Sequence, residues 1–418
     1  MNVRQCSAIA LVSALGVVAC ACSASPEPIR VGAVYPISGS QGPGGVDEYR
    51  GVGLAAALVN ADGGVDGRPV ELEVVDVPSA DAAPGAIAGL AHRGIRFVLG
   101  SYGSTISEPA AAATARRHML FWETGAVGSM PAQGSGGRYF FRVAAGGSVL
   151  GQAAVSFVTH QLAPLWHRPA TSLRFAVANV DDVYGSAVAA GAVDEIHALG
   201  LPIAGQFAYD VSHLNPARVV RRIARAKPDV LFVAAYMEDG IGLRREMVRQ
   251  RLPLLVNIGT SSSYCMPEFG AALRGAAVGL FSSDKPDADA FDTSSLPPEA
   301  RDLLERARSA YRSRYHEEMS APALAGFSAA WALFHTVMPA ASELTPEAVA
   351  AQALRARISP GGLPNGSGLA FSPPWSNDPG ANLLAATVIW EWLGVEQRAV
   401  VWPSQFATAA IRPIPIGP

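Results

Sequence analysis

The sequence predicts an α/β protein made of two doubly wound, Rossmann-like lobes. The chain has 418 residues, which is too long for one ordinary hydrophobic core. Apolar strand-like segments alternate with helical ones, the pattern of parallel sheets covered by helices on both faces. The alternation begins again after a glycine-containing join at residues 144–147. We therefore expect two sheets rather than one.

The N-terminal residues predict export. Arg4 precedes an apolar run, Ser7 to Ala19, and this run is shorter than the roughly 20 residues that a membrane-spanning helix needs. Residues 1–19 are therefore interpreted as a signal peptide.

The signal ends in Val17-Val18-Ala19-Cys20, which resembles the bacterial lipobox, where the cysteine becomes the lipidated first residue. We expect lipidation at Cys20, with Cys22 as the weaker candidate and plain secretion as the alternative. Residues 20–28 are small, polar and proline-containing, as expected of a flexible tether.

The first lobe is predicted from alternating segments between Ile29 and Gly125. The expected strands are 29–38, 68–77, 96–101 and 120–125, and the expected helices are 49–64, 82–94 and a segment ending near Arg117.

The second lobe repeats the pattern. Its expected strands are 173–182, 203–210, 229–236 and 252–259, and the helix 216–227 carries an arginine-rich face that we interpret as solvated.

The remaining residues suggest that the chain returns to both lobes. An acidic, proline-containing loop, 283–300, is followed by expected helices at 299–315, 321–342 and 345–357 and by a hairpin at 382–403.

Composition excludes several functions. A net charge of −3 and a pI near 6.3 do not indicate the basic surface that nucleic-acid binding proteins carry. Cysteines and histidines form no ligand spacing, so we expect no metal and no cofactor. The sequence has no GxSxG, HExxH or P-loop motif. Ser282 to Lys285 fits SxxK, but without companion motifs and with Pro286 next, so we expect no enzyme.

A glycine and hydroxyl cluster, Ser101 to Ser107, follows the third strand. In open parallel sheets, ligands bind beyond the carboxyl ends of the strands. Hydroxyls there can cap a helix, and the N–H groups can hold an anion. Ser107-Glu108-Pro109 is by itself a good helix start. Because the loop offers more hydroxyls than capping requires, we expect ligand contact.

The order of several segments closely resembles the leucine/isoleucine/valine-binding protein family, type I periplasmic binding proteins that serve ABC importers. The likeness runs from about Ile29 to Pro403 and is carried by GAVYPISG, GVGLAAALVNADGGVDGRPVELEVVD, FVLGSYGS, EPAAAATARRHMLFWETGA, YFFRVAA, DDVYG and PDVLFVAAY.

The resemblance implies two lobes joined by a multi-crossover hinge that closes on a ligand. It places the carboxylate-binding serine at Ser104, a backbone contact at Gly125 and covering tyrosines at Tyr184 and Tyr236. The expected divisions are 29–146 plus about 282–358 for lobe 1, and 147–281 plus about 359–410 for lobe 2.

Departures from the family pattern leave the ligand open. The second carboxylate-binding hydroxyl falls on Val127, and the acid that receives the ammonium group falls near Ser261. Glu123, Glu238 or Asp239 are alternatives for that acid, because an unpaired buried ion is costly. The candidate ligand contacts are Tyr102, Gly103, Ser104, Thr105, Glu123, Gly125, Ala126, Tyr184, Tyr236, Glu238 and Ser261.

We therefore expect a monomeric, lipid-anchored, extracytoplasmic solute-binding protein that delivers an amino acid, an amide or urea, or a small carboxylate to ABC permease subunits. The alternative is a sensor of the same fold that signals to a membrane partner. The sequence does not separate the two uses, because both rely on closure of the lobes around the ligand.

Overall fold

The computed structural model describes residues 26–128, 137–288 and 290–414. The signal peptide, Cys20 and Cys22 lie outside these residues. The strands are β1 Ile29–Tyr35, β2 Val70–Asp76, β3 Phe97–Gly100, β4 Leu120–Glu123, β5 Phe140–Arg142, β6 Phe175–Val180, β7 Ile203–Tyr209, β8 Val230–Ala234, β9 Val256–Thr260, β10 Phe281–Asp284, β11 Val388–Gly394 and β12 Gln397–Trp402.

Helices follow most of the strands. They are α1 Gly42–Ala61, α2 Ala83–His92, α3 Ser104–Ala115, α4 Gly147–Phe157, α5 Ala163–Leu165, α6 Val183–Ala198, α7 Pro216–Ala226, α8 Met237–Arg249, α9 Pro267–Leu273, α10 Pro298–Tyr315, α11 Ala321–Trp331 and α12 Pro346–Arg355. The expected helix 321–342 changes to a π-helical turn over Ala332–Val337.

The first sheet has the order β2-β1-β3-β4-β5, and every pairing is parallel. Strands β3 and β4 are buried along their whole length, which explains why their sequences read as continuous apolar runs rather than alternating ones. All of these strands end at the same edge of the sheet, and the candidate loops follow there.

The second sheet has the order β12-β11-β10-β9-β8-β6-β7. It is parallel from β10 to β7, and β11 and β12 add an antiparallel hairpin at its edge. The hairpin expected within 382–403 is therefore confirmed. Two sheets with this topology confirm the predicted fold class of two doubly wound units.

The helices after β10 return to the first sheet. The indole Nε1 of Trp122 in β4 donates to the carbonyl of Ala329 in α11 at 2.8 Å, and both residues belong to one hydrophobic cluster with Leu304 and Val349. The strands β11 and β12 then join the second sheet. The lobe boundaries given above stay predictions.

Helix α3 begins earlier than the Ser107-Glu108-Pro109 start. The carbonyl of Gly103 accepts hydrogen bonds from the N–H groups of Ile106 at 3.0 Å and Ser107 at 2.9 Å, so the helix starts at Ser104 and Pro109 lies inside it. No side chain caps this end. The alternative, in which these hydroxyls only cap the helix, is therefore not what the structure shows.

No helix in these three described ranges combines the length and the apolar character needed to cross a membrane.

Helices α1 and α11 cross at close range. A Cβ atom added at Gly51 would lie 1.9 Å from the carbonyl oxygen of Ala323, and one at Gly326 would lie 2.3 Å from the carbonyl oxygen of Glu48. These neighbours are backbone atoms of packed helices, so they cannot move aside as a flexible side chain would. Only glycine fits at this crossing.

We expect Gly51→Ala to destabilise the protein by about 1–3 kcal/mol, because overpacking forces the two helices apart. The free energy of unfolding from urea titration measures this. Gly53→Ala in the same helix is the matched control, since nothing lies within 4 Å of its added Cβ, and it should stabilise the protein slightly. Equal effects of the two substitutions would contradict the proposed crossing constraint.

Candidate ligand-binding site

The loops after the strands of both sheets meet at one place. A Cβ atom added at Gly128, in the loop after β4, would lie 2.7 Å from Cγ1 of Val183 in α6 and 2.8 Å from Cβ of Ser104 in α3. Desolvation and nearby acids raise the pKa of Tyr236, and Tyr102 across the cleft contributes to the same shift. Predicted contacts from the two sheets therefore face each other.

The hydroxyl cluster after β3 surrounds the carboxylate of Glu123. This side chain, at the end of β4, is fully buried. Its Oε1 accepts hydrogen bonds from the backbone N–H groups of Ser101 at 2.9 Å, Gly125 at 2.9 Å and Ala126 at 2.8 Å. Its Oε2 accepts from the hydroxyl of Ser107.

Burial raises the pKa of Glu123, and these hydrogen bonds oppose that shift because they stabilise the charged form. Glu123 is therefore neither a solvated nor a helix-capping acid. The N–H groups of Gly125 and Ala126, both predicted ligand contacts, are occupied by this carboxylate.

Ser104 is also buried, and its hydroxyl oxygen accepts a hydrogen bond from the N–H group of Gly128 at 2.9 Å. The hydroxyl proton remains available for a further acceptor. Thr105 is partly exposed, and its Oγ1 accepts from Nε2 of Gln41 at 3.4 Å. Gly103 packs against the same glutamine. These predicted contacts therefore lie side by side at the start of α3.

A second buried acid, Glu48 in α1, lies beneath Gly125. A Cβ atom at Gly125 would lie 1.7 Å from Oε2 of Glu48, so a larger residue here would force the Glu48 carboxyl group to move. The Oε1 of Glu48 accepts from the hydroxyl of Thr124 at 2.6 Å, and Thr124 is 2.7 Å from the hydroxyl of Tyr35. Burial raises the pKa of Glu48 to about 8, although Lys285 lowers it.

Sequence reasoning did not assign Glu48 or Lys285 to the site. The Nζ of Lys285 donates to the carbonyl of Gly125 at 2.9 Å, and the side chain is 8% exposed. For Lys285 the sequence contained a signal: lysine is rare in this arginine-rich chain and occurs only at Lys227 and Lys285. Glu48 gave no such signal, since it lies just before the expected helix 49–64, whereas the structure places it within α1.

The predicted tyrosines of the second lobe form a pair. The rings of Tyr184 and Tyr236 have centroids 5.1 Å apart. Tyr184 is buried and its hydroxyl donates to the carbonyl of Ser261, while the hydroxyl of Tyr236 donates to Asp182 at 2.7 Å. The aromatic faces are thus held in place by hydrogen bonds within their own lobe.

The remaining predicted acids, Glu238 and Asp239, follow Tyr236 in the first turn of α8. Glu238 is exposed in the first turn of α8. Asp239 is buried, accepts from the hydroxyl of Tyr209 at 2.5 Å, and has its pKa raised to about 6 by burial. Val127 is buried as well.

The SxxK residues do not form a nucleophile and base pair. Ser282 and Ser283 are buried in β10, and the hydroxyl of Ser283 donates to the carbonyl of Leu150 at 2.8 Å. The lysine is directed toward Gly125 instead.

A cavity of about 330 Å³ adjoins Lys285 and Asp284. None of the predicted ligand contacts is among the residues that line this cavity. In the part of the chain that the structure describes, no group of three or more His, Cys, Asp or Glu residues is arranged to hold a metal ion.

These observations define an α/β binding protein whose two sheets present polar loops to one cleft. The sequence profile of the periplasmic binding protein family matches residues 28–368. The chain therefore belongs to this family and is a solute-binding protein, and membership implies a location outside the cytoplasm.

Individual relatives agree with this assignment. Leu/Ile/Val-binding protein homolog 8 of Brucella abortus (strain 2308) is 25% identical over 359 residues, covering 85% of this chain and 87% of that protein. Leucine-binding protein LivK of Thermotoga maritima superposes with a TM-score of 0.72 at 15% identity, covering 89% of this chain and 97% of that chain.

A third relative is an ABC transporter solute-binding protein from R. palustris, solved in complex with benzoate. It has a TM-score of 0.68 at 14% identity and covers 93% of this chain and 99% of that chain. These structural similarities show the fold and confirm the predicted type I periplasmic binding protein architecture.

We expect Glu48→Gln to raise the free energy of unfolding by about 3 kcal/mol at pH 7. The pKa of Glu48 rises from its ordinary 4.5 to about 8 on folding, so its stabilising contribution is present below pH 4.5 and is lost as the pH rises toward 8. Glutamine keeps the acceptor for Thr124 and does not titrate.

The gain should therefore shrink toward zero near pH 4. Urea denaturation at several pH values measures it, with the exposed Glu71→Gln as the control. A gain that does not depend on pH would contradict the raised pKa.

Proposed function

We propose that this protein is the substrate-binding lipoprotein of an ABC importer and traps a small polar solute in the cleft between its lobes. The solute is an amino acid, an amide or urea, or a small carboxylate. The observation that supports this proposal most strongly is the arrangement of Tyr102 and Ser104 opposite the Tyr184–Tyr236 pair.

The roles of these residues follow from their chemistry. The tyrosine faces cover the apolar body of the solute, and Ser104 and Thr105 bond its polar end. Closure of the lobes buries the solute and changes the outer surface, which the permease subunits read. The protein acts as a monomer and needs no cofactor.

The relatives support transport but leave the ligand open. The names of Leu/Ile/Val-binding protein homolog 8 and of LivK refer to branched-chain amino acids, whereas the R. palustris protein is described with benzoate. One fold therefore serves chemically different solutes.

A thermal-shift screen over amino acids, urea, short amides and aromatic acids tests the proposal. A solute that binds only the folded protein raises the melting temperature. A solute found in this way should also be imported by cells that carry the protein and not by a deletion strain. If the protein binds the solute but cells that carry it do not import the solute, the result favours the sensing role.

We expect Ser104→Ala to weaken the affinity for the solute identified by the screen by about 1–3 kcal/mol, because it leaves a polar ligand group unpaired. Isothermal titration calorimetry measures the change. The exposed Ser172→Ala is the matched control. If Ser104→Ala binds as tightly as the unchanged protein, Ser104 is not a ligand contact.

We expect Cys20→Ala to release the exported protein from the membrane fraction, since the acyl anchor can no longer be attached. Fractionation of cells followed by immunoblotting measures the distribution. Cys22→Ala is the control and should remain with the membrane. If only Cys22→Ala releases the protein from the membrane fraction, the lipid is attached to Cys22 and not to Cys20.

A further inference from the structure

The ends of β3 and β4 form a site for an anion that the protein already fills. Three backbone N–H groups, those of Ser101, Gly125 and Ala126, converge within 2.8–2.9 Å of one carboxylate oxygen of Glu123. The hydroxyl of Ser107, in the first turns of α3, donates to the other oxygen. We call these four donors the anion cradle.

The cradle has the chemistry of a carboxylate receptor. Converging backbone N–H groups beside a helix N-terminus hold anions, since both the hydrogen bonds and the helix dipole favour negative charge. Glu123 is completely buried, and every partner named above donates to it. Its carboxylate therefore supplies the acceptor that these donors need, without any solute.

The surroundings disfavour a second anion. Glu48 lies against Gly125, whose N–H group belongs to the cradle, and it is also fully buried. The nearby cation, Lys285, already donates to the carbonyl of Gly125. A solute carboxylate at this edge of the sheet would therefore face the carboxylate of Glu123 and find the N–H groups of Gly125 and Ala126 occupied.

We propose that Glu123 is a specificity-determining residue that fills the anion cradle, so that the cleft rejects carboxylates and accepts neutral or cationic solutes with N–H donors. This inference rests on the proposed function and narrows its solute class to amides, urea-like compounds and amines. The solute N–H groups would pair with acceptors of the cleft.

Chemical rescue tests the cradle without knowledge of the solute. Glu123→Ala removes a fragment that corresponds to acetate, and so empties the cradle. We expect this variant to melt at a lower temperature and to gain about 2 °C or more in 100 mM sodium acetate relative to sodium chloride of equal ionic strength. The unchanged protein and the exposed-acid control Glu71→Ala should not gain.

Glu123→Gln provides a second variant. Its amide has nearly the shape of the carboxylate and keeps the space filled, so acetate should not raise its melting temperature. If Glu123→Ala folds too poorly to be melted, the yield of refolded protein with and without acetate replaces the melting temperature. No acetate effect on Glu123→Ala, or an equal effect on Glu123→Gln, would overturn the proposal.

A solute panel then tests the specificity. Urea, acetamide, propionamide, ethylamine and agmatine are compared with propionate, benzoate and leucine, using the unchanged protein and calorimetry. Binding by amides or amines and not by carboxylates supports the inference. Binding by a carboxylate or leucine overturns it while leaving the solute-binding proposal intact. If no solute of any class binds, the proposed function fails, and the acetate rescue still decides whether the cradle exists.

Discussion

The candidate site depends on one buried charge, the carboxylate of Glu123. The parallel strands β3 and β4 end side by side and leave several backbone N–H groups without partners in the sheet. Such groups need an acceptor when they are buried. Glu123 supplies it from within the chain, and the loops of both strands take their shape around it. The hydroxyl of Ser107 donates to the same carboxylate.

Charge balance around this carboxylate explains the residues nearby. Glu48 is buried below Gly125 with a raised pKa, and Lys285 approaches from the segment that follows β10. A buried carboxylate without a donor or a cation would be costly. The acids are thus tolerated because backbone N–H groups, Thr124 and Lys285 offset their desolvation, and the small residue at position 125 lets them approach.

Much of the fold was predictable from the sequence because buried parallel strands are continuous apolar runs with helices between them. The order of the elements and the C-terminal hairpin follow from this pattern. The start of α3 was not predictable, since Pro109 suggested a first turn near Ser107, whereas the hydrogen bonds accepted by the carbonyl of Gly103 begin the helix earlier. The loops around Ser104 and Tyr236 were predictable as strand ends. The link between Glu48 and Gly125 was not, because it joins residues of different elements through tertiary packing.

The glycine crossing of α1 and α11 has a consequence for how the molecule is made. One part of the sheet begun by Ile29 is covered by α11, which emerges from the ribosome or the export machinery only after the parallel strands β6 to β10 of the second sheet. Contacts so distant in sequence form slowly, because a long loop must close before they contribute. The first sheet therefore stays partly uncovered while the parallel strands of the second sheet have already been made, and its exposed apolar strands need protection from aggregation during that interval.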